Sequence, residues 1–505
     1  MITRVPLADP GSALPAHWHR GTFVQIYVRA WRDANGDGIG DLRGVIQGLP
    51  YLQSLGVSGI WLMPIYPSQD GDHGYAVTDY RAIDPDYGTM QDFDALLQAA
   101  HACGIGVILD YVINHSAAAH PLFQLSRSAR ASPTRDWYLW HDVAPAGWHI
   151  YGHDPWWPDE TGVYFGAFGP HMPDFNWANP DVVAWHHDNL RFWLNRGVDG
   201  FRFDAVGHLV ENGPDAWDCQ PQNYTIVAGI RALLDRYAQR FMVCEAPGDA
   251  AGFTRMGGSA FAFDLNTDIL AMARGGPGSA AATARVARYF TVAPHATSTL
   301  LSNHDGFAGA RVADQLRGEP GALRVAAAVN LLLPGTPFVY YGEEIGMAGQ
   351  PTLAGDHALR TPMSWTECPH TAGFSAVQPF RALAGNAGTH HVAAQREAPD
   401  SLLAFYRTLI GLRRTRASLL RGGYEVLARE GAAWAFARTH GQECTVVALN
   451  ARSRPARLVL DRLGGLGRAG GRLRPLVTGW GADDVVPAEA PLRLPARSVG
   501  VYALE

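Results

Sequence analysis

Short apolar runs recur along this chain at the spacing of alternating strands and helices, and several of them stop at a carboxylate. Residues 57–62 form one such run, closed by Pro64; residues 90–103 have helical spacing, and Ile105-Gly106-Val107-Ile108-Leu109-Asp110 is a second strand-like run with an acidic end. The same rhythm predicts a first strand at 22–28 and a helix from Asp41 to about Leu55. Farther on it predicts helix 181–196, strand 199–203, helix 224–240 and strand 241–245. Strands at about 259–264, 299–302 and 337–341, with helices at about 281–290, 321–333 and 400–416, bring the strands to eight. Continuous apolar strands separated by helices belong to a parallel sheet covered on both faces. Eight such units predict an α/β protein, a (β/α)8 barrel.

Two stretches break the rhythm. Residues 111–180 are dense in Pro, Trp, His and Asp, which predicts a subdomain inserted after strand three. Beyond about residue 420, runs such as Ala433-Trp434-Ala435-Phe436-Ala437 alternate with turns, as in an antiparallel β-sandwich. The expected division is a barrel from 1–110 and 181–420, an insertion at 111–180 and a C-terminal domain at 421–505; 505 residues are ample for this. A net charge of −6 without a basic run argues against a nucleic-acid partner. No apolar run reaches membrane-spanning length, and the first twenty residues, with Pro10 and Pro15, lack the apolar core of an export signal. Five scattered cysteines suggest neither a disulfide framework nor a zinc site, so a reduced, cytoplasmic setting is expected, with export by a removed signal as the alternative. Monomer and homo-oligomer both remain open.

The strand ends carry the chemistry. In Gly200-Phe201-Arg202-Phe203-Asp204, apolar residues alternate with a charged pair. Taken alone, that pair is either a salt bridge or catalytic equipment. Asp110, Asp204, Glu245 and Asp305 all fall at strand ends, however, and in a βα barrel those ends open on the face where active sites are built. Like charges gathered there raise one another's pKa, an arrangement that a catalytic use explains better than four separate caps do.

Asp110-Tyr111-Val112-Ile113-Asn114-His115, Gly200 to His208, Glu245 and Asn303-His304-Asp305 resemble, in order, the sequence blocks of the α-amylase superfamily, glycoside hydrolase family 13. Asp72-His73-Gly74-Tyr75, Tyr340-Tyr341-Gly342-Glu343-Glu344 and Arg360-Thr361-Pro362-Met363-Ser364-Trp365 resemble its α-glucosidase and oligo-1,6-glucosidase branch. The resemblance implies Asp204 as nucleophile, Glu245 as general acid and base, and Asp305 as the residue gripping sugar hydroxyls and helping to keep Glu245 protonated. Arg202 would keep Asp204 ionised. His115 and His304 would bond glucose hydroxyls, Asp72 and Arg360 would pair across its non-reducing end, and Tyr75 would stack on it. The implied activity is a retaining α-glucosidase on short α-glucosides, forming a covalent glucosyl ester.

Ala205 after the nucleophile, with Met172 and Phe175 in the insertion, resembles α-1,4-acting rather than α-1,6-acting relatives. His208 is expected on the aglycone side, or as a cap of the next helix. Phe168, with Trp148, Trp156, Trp157 and Phe165, is read either as an acceptor platform or as the small core of the insertion. Transglucosylation, sucrose cleavage and trehalose formation use the same carboxylates and stay open, as does a non-catalytic barrel relative. Asp33-Ala34-Asn35-Gly36-Asp37-Gly38-Ile39-Gly40-Asp41 begins like an EF-hand loop, with Gly44 where the bidentate Glu belongs. Related glucosidases imply a structural calcium, or magnesium, on Asp33, Asn35, Asp37, the Ile39 carbonyl and Asp41; a metal-free acidic turn is the alternative.

Overall fold

The computed structural model describes residues 4–70, 74–460, 471–480 and 484–505. The chain divides into two compact units: Met1–Ala16, Asp41–Ile46 and Ile60–Phe261 in the first, His17–Gly40, Gln47–Gly59 and Ala262–Glu505 in the second. In chain order the strands are β1 (Phe23–Ile26), β2 (Gly59–Leu62), β3 (Gly106–Tyr111), β4 (Trp140–His141), β5 (Trp156–Asp159), β6 (Gly162–Phe165), β7 (Gly200–Phe203), β8 (Phe241–Cys244) and β9 (Phe338–Tyr340).

The first unit holds the parallel run β3-β7-β8. Register pairs Asp110 with Arg202 and Tyr111 with Phe203 across β3 and β7, and Phe203 with Cys244 across β7 and β8. The next row is tied by the Asp204 amide to the Tyr111 carbonyl and the Glu245 amide to the Phe203 carbonyl. Asp204 and Glu245 therefore stand side by side, one residue past the last paired row. Side chains alternate along a strand, so Asp204 shares a face with Arg202. Each of these strands is wholly buried, as a sheet covered by helices requires. Gly200 makes the close pairing possible: a Cβ there would lie 1.9 Å from the Phe241 carbonyl oxygen. Of the sixth predicted strand only a bridge remains, Ala260 beside Cys244, because a helix begins at once with Phe263–Arg274.

In the second unit β1 pairs with β9 in parallel, from Phe23 opposite Phe338 to Gln25 opposite Tyr340. The seventh predicted strand is likewise reduced to one bridge, Thr299 beside Pro337. The C-terminal part consists of β10 (Gly423–Glu430), β11 (Ala433–His440), β12 (Glu443–Asn450), β13 (Ala456–Leu458), β14 (Arg472–Pro475), β15 (Val486–Pro487), β16 (Leu492–Leu494) and β17 (Ser498–Leu504). They form an antiparallel sheet in the order β10-β11-β12-β17-β14-β15 and a two-stranded sheet β13-β16. Ala433, Ala435 and Ala437 on one face of β11 share a core with Leu458, Leu492 and Leu494, which makes two layers. The alternate residues Trp434 and Phe436 are buried on the opposite face.

Within residues 111–180 a three-stranded sheet, β4-β6-β5, has its own small core of Ile150, Trp156, Phe165 and Ala167. Among the described residues no helix is long and apolar enough to cross a membrane.

Candidate active site

Arg202 is fully buried, and three carboxylates converge on it. Its Nη1 donates to Asp110 Oδ1 at 2.7 Å and to Asp204 Oδ1 at 2.6 Å. Nη2 faces Glu245 Oε1 at 2.9 Å, an ion-pair contact outside hydrogen-bond angles. Asp110 is held further by the Tyr75 hydroxyl at 2.7 Å and by Trp61 Nε1 at 3.1 Å, and the Trp61 ring lies 5.1 Å from the guanidinium. The register of β3 against β7 makes this pairing, since it sets Asp110 and Arg202 in one row.

One cation cannot hold three buried carboxylates ionised. Burial, with Asp204's charge adding to it against the pull of Arg202, pushes Glu245 up to about 7. Burial also raises Asp110, to about 6, and Asp204, with Arg202 opposing in both cases. Burial alone would lower Arg202, but the charges of Asp110 and Glu245 outweigh it and keep the guanidinium protonated. Both Asp204 and Glu245 lie on the Arg202 guanidinium, Asp204 Oδ1 at 2.6 Å from Nη1 and Glu245 Oε1 at 2.9 Å from Nη2. Glu245, raised to about 7, is thus the carboxyl that keeps a proton towards neutral pH. Ala205, at φ 47°, turns the chain so that its amide donates to Glu245 Oε2 at 3.0 Å.

Aromatic rings gather around His115 and His208. Phe168 lies 5.2 Å from the His115 ring and 5.5 Å from His208, centroid to centroid. The two readings of the insertion aromatics separate here. Trp148, Trp156 and Phe165 pack on one another at 5.1–6.0 Å as core, and Trp157 donates to the Gly166 carbonyl. Phe168, half-buried, packs against the same core and also meets the two histidine rings. His208 does not cap the next helix, which begins at Pro221; it bonds the Tyr151 hydroxyl and stacks on Trp217.

The second unit carries its own constellation. His304 Nδ1 meets Gln25 Nε2 at 2.7 Å, and its Nε2 lies 3.1 Å from Asp305 Oδ2. Arg360 Nη2 reaches Asp305 at 3.1 Å and Asp356 at 3.0 Å, and its Nε donates to the His304 carbonyl. Asp72, the expected partner of Arg360, lies outside the described residues.

Among the described residues no three His, Cys, Asp or Glu side chains gather as a metal site. In the 33–39 loop the oxygens are already engaged: Asp33 accepts from the amides of Gly36 and Gly38 and from Ser375 Oγ, Asn35 from the Asp37 amide, and Asp37 from the Ile39 amide and Asn35 Nδ2. Asp41 caps the Gly44 amide. Asn114 and Glu211 carry oxygens of a different kind. Asn114 Nδ2 donates to Asp174 Oδ2 at 2.9 Å, while Asn114 Oδ1 and Glu211 Oε1 are buried without hydrogen-bond partners. Glu211 is raised well above the usual range by burial and by Asp174 beside it. Two crowded carboxylates and an orphaned amide oxygen are the kind of ligands a hard cation takes.

Sequence reading placed Asp110 among the strand-end carboxylates without a role of its own, and gave none to Trp61, Tyr151, Trp217 or Glu211. Only Asp110 carried a signal, its position at a strand tip.

Residues 25–422 match the family model described as the α-amylase catalytic domain. The chain is 32% identical over 487 residues to a probable α-glucosidase of Rhizobium meliloti (strain 1021), covering 84% of this chain and 88% of that protein. It is 32% identical over 490 residues to the trehalose synthase/amylase of Mycobacterium tuberculosis (strain CDC 1551 / Oshkosh), covering 82% and 78%. A solved structure of an α-glucosyl transfer enzyme superposes with a TM-score of 0.84 at 29% identity, over 97% of this chain and 99% of that one. The fold class is thus the (β/α)8 barrel with an inserted subdomain and a C-terminal antiparallel domain, and the chain belongs to the α-amylase family of glycoside hydrolases.

Proposed function

We propose that this protein is a retaining α-glucosidase of short α-glucosides, preferring α-1,4 to α-1,6 linkages. The observation that carries this reading is that Asp204 and Glu245 share one guanidinium, at 2.6 and 2.9 Å from Arg202. Two carboxyl groups held on one guanidinium stand close together, which favours the short separation of a retaining pair over the wider one of an inverting pair. Asp204 attacks C1 as Glu245 gives its proton to the leaving oxygen, and the C1–O bond breaks. Glu245, now ionised, takes a proton from water as the water oxygen bonds C1 and the ester electrons return to Asp204. Arg202 supports the ionised form of Asp204. His115 and Tyr75, in the same unit as the carboxylate pair, bind the glucose. The linkage preference rests on Ala205. Phe175, expected to bear on it, is buried and stacks on Tyr138 at 5.0 Å.

A second reading, transfer of glucose to another sugar, draws support from the aromatic residues outside the carboxylate pair and from the relatives named for synthase and transfer activities. Products from maltose, isomaltose, sucrose, trehalose and an aryl α-glucoside, with Asp204→Asn as the blank, separate the two. Early release of β-glucose, seen by NMR, would refute retention.

Calcium or magnesium belongs to the same proposal as a structural ion. Asp33, Asn35, Asp37, Ile39 and Asp41 support it by spacing. Asn114, Asp174 and Glu211 support it better, through the orphaned oxygens, and such an ion would neutralise two buried carboxylates. A cytoplasmic setting fits the five unbridged cysteines.

A further inference from the structure

A cavity of about 320 Å³ is lined by residues 78–81, residues 120–122, and Trp185 and Asn189 of the helix Pro180–Arg196. It lies wholly within the first unit, and its volume is at the lower end of the range for small-molecule sites. Among the described residues the Arg81 guanidinium meets no carboxylate oxygen. Its Nε donates to Asn189 Oδ1 at 2.6 Å, and its central carbon lies 5.9 Å from the Phe192 ring. Nη2 is shut away from water and makes no hydrogen bond. The Nη1–Nη2 end of the guanidinium is thus left over, a fork suited to two oxygens of one group.

Two further donors stand in the same lining. Asn189 is 1% exposed, and its carboxamide nitrogen is also buried without a hydrogen bond. That nitrogen lies near the Tyr111 hydroxyl outside hydrogen-bond geometry, and a hydroxyl takes at most one of its two hydrogens. His120 accepts the Leu122 amide on Nδ1 at 3.1 Å, and burial lowers the ring to about 4, so the neutral imidazole carries its proton on Nε2. The hydroxyls of the lining are engaged, Tyr80 with the His115 carbonyl at 2.6 Å and Thr78 with the Pro67 carbonyl at 3.0 Å. Asp79, the carboxylate of the lining, is exposed and accepts the Arg81 amide at 2.8 Å. What is left unmet is all donor: a guanidinium fork, an amide N–H and an imidazole N–H. A sugar hydroxyl calls for acceptors as well as donors, whereas an oxyanion calls for donors alone. Enclosed donors and a cation without a counter-charge are both costly until such a group arrives.

We propose that this cavity is an oxyanion site that takes a phosphate group on Arg81, Asn189 and His120. Three donors from three separate segments suit the three terminal oxygens of a phosphate better than the two of a carboxylate. The Trp185 ring, 5.7 Å from that of His120, gives the cavity an apolar wall against which a carbon skeleton can lie. The phosphate is therefore either the free ion or one borne on a small sugar. The site is independent of the glucosidase reading, because none of the three donors belongs to the carboxylate cluster on Arg202.

Equilibrium dialysis of the full chain at fixed ionic strength tests this, with labelled inorganic phosphate and labelled glucose 6-phosphate in separate arms. Bound ligand is counted per folded molecule recovered by gel filtration. At least one of the two should bind saturably, one equivalent per chain. Tighter glucose 6-phosphate assigns the sugar-borne group, and tighter inorganic phosphate assigns the free ion. Arg81→Gln is expected to weaken binding at least tenfold, and Arg81→Lys, which keeps the charge but not the fork, to weaken it less. Asn189→Asp keeps the acceptor for Arg81 Nε and gives the guanidinium a counter-charge. It should hold or raise the urea midpoint while weakening binding at least tenfold, so it answers even where Arg81→Gln does not fold. Arg130→Gln removes the same charge from an exposed arginine paired with Asp142 and leaves binding unchanged. No saturable binding in either arm, binding that Asn189→Asp does not move, or displacement of the ligand by unlabelled glucose overturns the proposal. None of these results touches the glucosidase reading, which stands or falls on turnover of the glucoside.

Discussion

Replacing Glu245 by Gln separates the chemistry of the site from its cost. Glu245 is 7% exposed, and its carboxyl is pushed from 4.5 to about 7, first by burial and then by Asp204. A carboxyl that holds its proton more tightly folded than unfolded adds stability that is fully present below its unfolded pKa. That stability is lost as pH rises through the folded value, here between about 4.5 and about 7. At 1.36 kcal/mol per unit, the loss attributable to Glu245 is of order 3 kcal/mol. Glutamine does not titrate and keeps an oxygen for the Ala205 amide. Glu245→Gln is therefore expected to match the wild type in urea unfolding at pH 4.5. At pH 8 it should exceed the wild type by about 3 kcal/mol, while hydrolysis of a poor leaving group falls by ~10³ or more. Asp110, raised to about 6, continues to titrate in both proteins, so only the difference between them isolates Glu245. Unfolding free energies that run parallel from pH 4.5 to 8 would refute the claim that a buried proton sits on this residue.

Three further outcomes follow from the same geometry. In the wild type, kcat/KM for a natural α-glucoside should fall on the alkaline side with a midpoint near 7, as Glu245 loses the proton it must donate; a flat profile to pH 9 would remove it as the acid. Gly200→Ala should cost ~3 kcal/mol or more, or prevent folding, because its Cβ would lie 1.9 Å from the Phe241 carbonyl; near-native circular dichroism and melting would show that β7 and β8 are not paired so closely. Chelator treatment should lower the melting temperature, and added calcium should restore it. If Glu211→Gln abolishes that response while Asp37→Asn keeps it, the ion sits at the Asn114 cluster; the reverse places it in the 33–41 loop, and an unresponsive wild type excludes both.

What could be read from the amino-acid order alone was whatever depends on local period. Apolar runs ending at Asp110, Asp204 and Glu245 are visible because a buried parallel strand is apolar throughout and stops where its polar tip begins. The alternation in Ala433 to Ala437 is visible because a sheet with two unlike faces has a period of two. Strands six and seven were legible in position but not in extent. Ala260 and Thr299 keep single bridges, and where pairing stops is decided by neighbours far along the chain. The remainder needed tertiary structure for the same reason. Register of β3 against β7 gives Arg202 to Asp110 as well as to Asp204, and no spacing in the sequence encodes a register. Which aromatics of the insertion become core and which face outward depends on how a short sheet folds on itself. That is why Trp156 is buried in the small core while Phe168, packed against it, also reaches the His115 ring. The orphaned oxygens of Asn114 and Glu211 acquire meaning only from neighbours dozens of residues away. Local propensity chooses the elements, and long-range packing chooses which side chains meet.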